Sequence, residues 1–274
     1  MKIKVNEAIW HILMWVIVIF LLIPIVFAIS NSFKTISDSM NNAFNLIPKE
    51  FTLENYKYVF ERLPFFKIVV NTFIIAFVVT AFKLLTSIFA AYSLVFFDFK
   101  CKNFIYYLLI STMFIPFTVT MIPNYITISA MGFRDSIIGV ILPQLADALG
   151  IFLIRQSMRT IPKSLIEYAY LENIRNIKIM RDIVIPLIKP AIVSTGIIFF
   201  INSWNEYVWP VLILKSKRNY TLSLALQMFI SSEGGTEFTI AMAVSVLTMV
   251  VPLCLYIIFQ KYIINTFSLS GIKG

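Results

Sequence analysis

The chain has 274 residues, 59% hydrophobic and 14% charged, against roughly 45–50% and about 25% in soluble globular domains. That balance excludes a soluble enzyme, a disordered tail and a collagen-like fibre, and two distant cysteines, Cys101 and Cys254, make no disulfide scaffold. The net charge of +9 is spread over short segments between apolar runs, a pattern of membrane topology that speaks against a nucleic-acid partner.

A membrane-crossing helix needs about 20 mostly apolar residues. Six runs approach or exceed this: residues 8–29, 68–97, 104–121, 137–154, 191–209 and 240–260. The first follows Lys2 and Lys4, but its length exceeds the apolar core of about 7–15 residues in a signal peptide, so it reads as an uncleaved helix. His11 within it receives no role. Residues 31–66 read as a polar loop with a turn at 47–51. The second run is long enough to tilt or project, and carries Lys83 near its middle. Pro116, Pro123 and Pro143 punctuate the third and fourth runs. Residues 231–235, Ser-Ser-Glu-Gly-Gly, read as a flexible turn before the last helix. The fold class is therefore an all-α integral membrane protein of about six transmembrane helices. One domain spans residues 1–274, with a long loop at about 155–189 and a tail at about 261–274.

Six spans place both termini on one side. If that side is the cytoplasm, thirteen of the 23 basic residues face it, seven of them between Arg155 and Lys189. The bias predicts cytoplasmic termini in a multi-pass protein of the cytoplasmic membrane.

Reactive motifs are missing. No glycine is directly followed by lysine, so no phosphate-binding loop of the Walker type exists and ATP is not expected to bind here. One histidine and no H-E-x-x-H offer no metal site. G-x-S-x-G is absent, and the one S-x-x-K, Ser270 to Lys273, lies in the terminal tail without companion motifs. A polytopic membrane enzyme would need clustered carboxylates or histidines at a membrane face, and a channel a pore loop; neither is read.

The most distinctive segment is 161–174, Ile-Pro-Lys-Ser-Leu-Ile-Glu-Tyr-Ala-Tyr-Leu-Glu-Asn-Ile. Pro162 suits the first turn of a helix. Leu165, Ala169 and Tyr168 then recur at helical spacing as an apolar face, and Asn173 tolerates the left-handed conformation that ends a helix. A second short helix is expected from Ile174 to Asp182, before Pro186 and Pro190 lead into the membrane. Such an elbow is either an amphipathic linker on the membrane surface or a knob that docks into a groove on a soluble partner.

The segment resembles the E-A-A loop of permease subunits in binding-protein-dependent ABC importers, roughly E-A-A-x-x-D-G-A. Glu167 and Ala169 match its first and third positions, Tyr168 replaces the middle alanine, Glu172 the aspartate and Asn173 the glycine. Ala91-Tyr92-Ser93-Leu94 followed by Phe99-Lys100, the Ile115-Pro116 and Ile122-Pro123 pairs, Phe152-Leu153-Ile154-Arg155-Gln156, Ile183 to Leu187, Trp204-Asn205-Glu206, and Gly271 to Gly274 are similar to further segments of that family. Their order resembles the second permease subunit of maltose-type transporters. The resemblance implies the type I permease fold and ATP-driven import of a sugar or oligosaccharide, with glycerol 3-phosphate or a related polyol phosphate as the alternative cargo. It implies a second permease subunit, two ATPase subunits that hold ATP and magnesium, and an extracytoplasmic solute-binding protein. It also implies that Glu167, Tyr168, Ala169, Leu171, Glu172, Asn173 and Ile174 form the loop coupled to the ATPase.

Polar groups inside apolar runs are candidates for function. Trp204, Asn205 and Glu206 at the end of the fifth run, with Gln144 and Asp147 on the fourth, either line a path and meet the binding protein or bond neighbouring helices. Lys83 calls for a carboxylate, which the sequence does not name.

Overall fold

The computed structural model describes residues 5–230 and 237–271. Lys2, Lys4, the 231–235 turn and the last three residues of the tail lie outside them. Among the described residues the chain is helical, with one isolated antiparallel bridge between Lys34 and Phe51.

In chain order the helices are α1 (Val5–Ser32), α2 (Ile36–Asn42), α3 (Glu54–Arg62), α4 (Phe65–Phe96), α5 (Lys102–Ser111), α6 (Phe117–Ala130), α7 (Ile137–Ile141) and α8 (Ala148–Met158). They continue as α9 (Lys163–Leu171), α10 (Asn176–Ile179), α11 (Ile185–Leu187), α12 (Lys189–Asn205), α13 (Val208–Ile213), α14 (Leu222–Ile230) and α15 (Phe238–Gly271). Three contain stretches long and apolar enough to cross a membrane: Glu7–Ser32, Phe65–Phe96 and Phe238–Lys261. Counting each of three bent helix pairs as one crossing gives six. At 1.5 Å per residue, the 32 residues of α4 extend about 48 Å, beyond a hydrocarbon core of about 30 Å.

Three of the apolar runs are sharply bent. The third run breaks between Phe114 and Phe117 by 95°. Proline forces its predecessor out of the helical region; Ile115 is extended at φ −82°, ψ 111°, and Pro116 starts α6 from an extended conformation. The fourth run breaks by 48° ahead of α8, where Asp147 leaves helical geometry and its side chain accepts a hydrogen bond from the Leu149 N–H. The fifth begins after an 80° bend between Leu187 and Lys189.

Two compact units divide the chain, Met1–Phe65 with Leu224–Val250 and Phe66–Ser223 with Val251–Gly274. In the first, the expected loop at 31–66 contains α2 and α3. Thr35 starts α2 by accepting a hydrogen bond from the Asp38 N–H, a standard helix-starting device. Lys34 is wholly buried and donates to the carbonyls of Asn42 (2.9 Å), Ala43 (3.2 Å) and Asn45 (2.6 Å). Asn55 donates to the carbonyls of Ser32 and Lys34, and accepts from the Thr239 hydroxyl. Burial depresses the Lys34 pKa, with the nearby Asp38 charge working against that.

In the second unit, Asp135 ties the loop after α6 to the segment after α13. Its carboxylate accepts from the Lys215 and Ser216 N–H groups, the Ser216 hydroxyl and the Asn219 amide. Burial would raise its pKa, but these donors prevail and hold it far below the usual carboxylate range.

Candidate functional site

The elbow forms as the sequence predicts, with different contacts. Pro162 precedes α9 in an extended conformation. The helix ends in a Schellman motif: the Ile174 N–H donates to the Ala169 carbonyl and the Asn173 N–H to the Tyr170 carbonyl. Asn173 is left-handed at φ 55°. This is the geometry glycine usually supplies at the position after a helix, and asparagine is the usual substitute. Replacing glycine therefore leaves the end of the elbow intact. Ile174 packs against the cluster that contains Ala169, the apolar contact that accompanies this motif.

The second helix runs beyond Asp182. α10 passes into a wider π-helical turn over Met180–Val184 and then α11, so helical structure continues to Leu187. Pro186 follows directly after the π-helical turn in this continuous stretch, and withholds the N–H that the preceding turn would otherwise receive. On the exposed side Arg181 donates to Asp182 at 2.6 Å and holds its carboxyl below the ordinary carboxylate range.

The faces of α9 divide sharply, and here the structure corrects the sequence. Ala169 does not share an outward apolar face with Leu165 and Tyr168. Ala169 and Ile166, each 3% exposed, turn into the chain's own core with Ile154 and Met158 of α8, Ile179, Met180 and Val184, and Ala91 and Tyr92 of α4. Ile188 and Ile192 extend this cluster to the start of α12, and the Tyr92 hydroxyl donates to the Asn176 carbonyl. Burying each large apolar side chain is worth roughly 1.5–3 kcal/mol, so the elbow is pinned to three long helices. The outward face carries Tyr168 (64% exposed) and Leu171 (80% exposed), flanked by exposed Glu167 and Glu172. This leaves an apolar pair exposed on a helix whose other face is anchored to α4, α8 and α12, the kind of surface that partners cover.

The second group of candidates is drawn apart. Asp147, at the break before α8, meets Lys83 of α4 at 2.9 Å, with side chains 27% and 16% exposed. The ammonium also lies 5.1 Å from the centre of the Phe199 ring on α12, within cation–π range. Lys83 thus finds the carboxylate the sequence left unnamed; the signal was an aspartate at the interruption of an apolar run. Gln144 donates to the Val140 carbonyl one turn earlier. Trp204 is wholly buried and stacks on Phe200. Glu206 accepts from the Val208 and Trp209 N–H groups and thereby starts α13, while Asn205 at the end of α12 is exposed. For Trp204 and Glu206 these contacts are structural ones.

Among the described residues no group of three or more histidine, cysteine or carboxylate side chains is placed to hold a metal ion. The second unit presents an anchored elbow with an outward apolar face, and a compensated charge pair at a helix break.

The profile of binding-protein-dependent transport system inner membrane components matches residues 83–267. The chain is 31% identical to the arabinooligosaccharides transport system permease protein AraQ of Halalkalibacterium halodurans, over 92% of this chain and 91% of that protein. It is 27% identical to the sn-glycerol-3-phosphate transport system permease protein UgpE of Brucella melitensis, over 95% of each. Among solved structures, a chain of a bacterial ABC transporter involved in the import of the acidic polysaccharide alginate shares the fold. It has a TM-score of 0.82 at 21% identity, covering 96% of this chain and 99% of that one.

Proposed function

From the premise that the chain belongs to the family of binding-protein-dependent transport system inner membrane components, we propose that it is one permease subunit of an ATP-driven importer for a neutral sugar or oligosaccharide. A second permease subunit completes the path, an extracytoplasmic binding protein delivers the solute, and two ATPase subunits carry ATP and magnesium. The termini and the elbow face the cytoplasm, in keeping with the basic residues gathered between Arg155 and Lys189.

The observation that carries this reading is the divided face of α9: Ala169 and Ile166 lock it to α4, α8 and α12, while Tyr168 and Leu171 remain outside. Closure of the ATPases moves that face, and the pinned cluster converts the movement into rocking of helices between two access states. Glu167, Glu172, Asn173 and Ile174 shape the docking helix and its end.

The relatives named for glycerol 3-phosphate favour a second cargo. A phosphate in the path would need a cation free to meet it, and Lys83, the cation near the middle of α4, is already matched by Asp147. This supports a neutral saccharide. Calorimetric titration of the partner binding protein with arabino-oligosaccharides and with glycerol 3-phosphate tests the choice. Binding of the saccharide and not the phosphate is expected; the reverse overturns it.

A further inference from the structure

A cavity of about 630 Å³ lies beside the elbow, walled by the end of α4, the start of α5, the end of α8 and the first turns of α9. Four cations line it, Lys102, Arg155, Arg159 and Lys163, against two carboxylates, Asp98 and Glu167. Lys102 and Asp98 are spoken for. Lys102 donates to the Phe97 carbonyl (2.7 Å) at the end of α4, where a cation is favourable, and pairs with Asp98 at 3.4 Å. Arg155, Arg159 and Lys163 have no ion-pair partner among the described residues. The Arg155 guanidinium is held in place by Tyr106, 3.7 Å from its ring centre, and its buried Nε has no hydrogen-bond partner. A rigid guanidinium with two further unspent cations suits a phosphate.

The surroundings indicate which phosphate. α4 ends, α5 begins and α8 ends around this cavity, so three apolar elements turn there on the side of the basic elbow. Tyr106 and Tyr107 stand in the opening turns of α5, as interfacial aromatics do. α5 has no buried residue, and one step round from the cavity-lining Tyr107 it exposes Phe104 (67%) and Leu108 (56%) along its length. We infer that this cavity holds the headgroup phosphate of an anionic phospholipid, whose acyl chains run along Phe104 and Leu108. Basic pockets between helices at a membrane surface are suited to such headgroups.

The test uses the full-length chain in its purified assembly, delipidated in detergent, with bound lipid followed by native mass spectrometry. The probes are dioleoyl-phosphatidylglycerol, dioleoyl-phosphatidylcholine and inorganic phosphate, offered to wild type and to the Arg159→Gln/Lys163→Gln double variant. Phosphatidylglycerol should be retained in preference to phosphatidylcholine. The double variant should lose that preference by roughly 25-fold, since each cation near an anionic headgroup is worth about a factor of five. Its melting temperature in lipid-free detergent should match wild type, which separates lost binding from misfolding. Equal retention of the two lipids, or an unchanged preference in the variant, overturns the site. Displacement of the lipid by millimolar inorganic phosphate overturns the lipid as its occupant. So does its expulsion when the ATPase subunits bind, which would give the cavity to the protein partner.

Discussion

Trimming Leu171 to alanine should weaken attachment of the ATPase while leaving the chain folded. The substitution removes three of four side-chain carbons, each worth about 0.8 kcal/mol when taken out of water. Leu171 is 80% exposed, so four-fifths of that gain, about 2 kcal/mol, is still available to docking. At about 1.4 kcal/mol per factor of ten, the dissociation constant for the ATPase should rise roughly 25-fold. Ala169→Asp is the counterpart: Ala169 is 3% exposed among isoleucines and methionines, where an unpaired carboxylate is strongly disfavoured. That variant should melt well below wild type. The assay titrates purified ATPase subunit against the permease assembly, with thermal melting in parallel. An unchanged dissociation constant for Leu171→Ala, or a fall in its melting temperature as large as that of Ala169→Asp, would refute the division of faces on α9.

Three further outcomes follow from the geometry. Lys83→Met alone should lower stability by about 2–3 kcal/mol, somewhat less than the roughly 3–5 kcal/mol for a fully buried pair broken on one side; the Lys83→Met/Asp147→Asn double variant should recover part of that loss in a melting cycle. Because the folded pKa of Asp135 is depressed, its stabilisation is complete above the unfolded value near 3.9 and is lost as pH falls through the folded value. The melting-temperature gap between wild type and Asp135→Asn should therefore be constant above about pH 5 and shrink in acid; a gap that widens in acid contradicts the clamp. Lys34→Met should remove three ammonium hydrogen bonds from the carbonyls of Asn42, Ala43 and Asn45, each of which keeps one other donor, the Asn45 N–H, the Asn31 amide and the Ser30 hydroxyl, and limited proteolysis should then cut within residues 36–62 of the variant and spare wild type.

The architecture was legible in the sequence where hydrophobicity alone decides it. All six apolar runs correspond to long helices or bent pairs, and the elbow was readable because Pro162 and Asn173 mark its ends chemically. Composition could not show the bends: Pro116 and Asp147 redirect the chain by forcing single residues out of helical geometry, and the same residues inside a straight helix would leave a similar hydropathy trace. Nor did periodicity separate Ala169 from Tyr168. Both lie near the boundary of the amphipathic face, and only the neighbours contributed by α4 and α8 decide which one turns inward. The Lys83–Asp147 pair joins residues 64 positions apart, beyond the reach of any local rule. Residues 31–66 read as a loop because Lys34, Asn31 and Asn55 are polar. Their burial becomes favourable only once backbone carbonyls from several turns converge on them, and that convergence is tertiary.

Transport itself is the most direct measurement. Proteoliposomes containing this chain, its sister permease and the ATPase, with ATP enclosed on the ATPase side and the loaded binding protein on the other, should accumulate solute. Omitting ATP, the binding protein or this chain should each abolish uptake. Solute flux that persists without ATP or without the binding protein would contradict an ATP-driven, binding-protein-dependent permease.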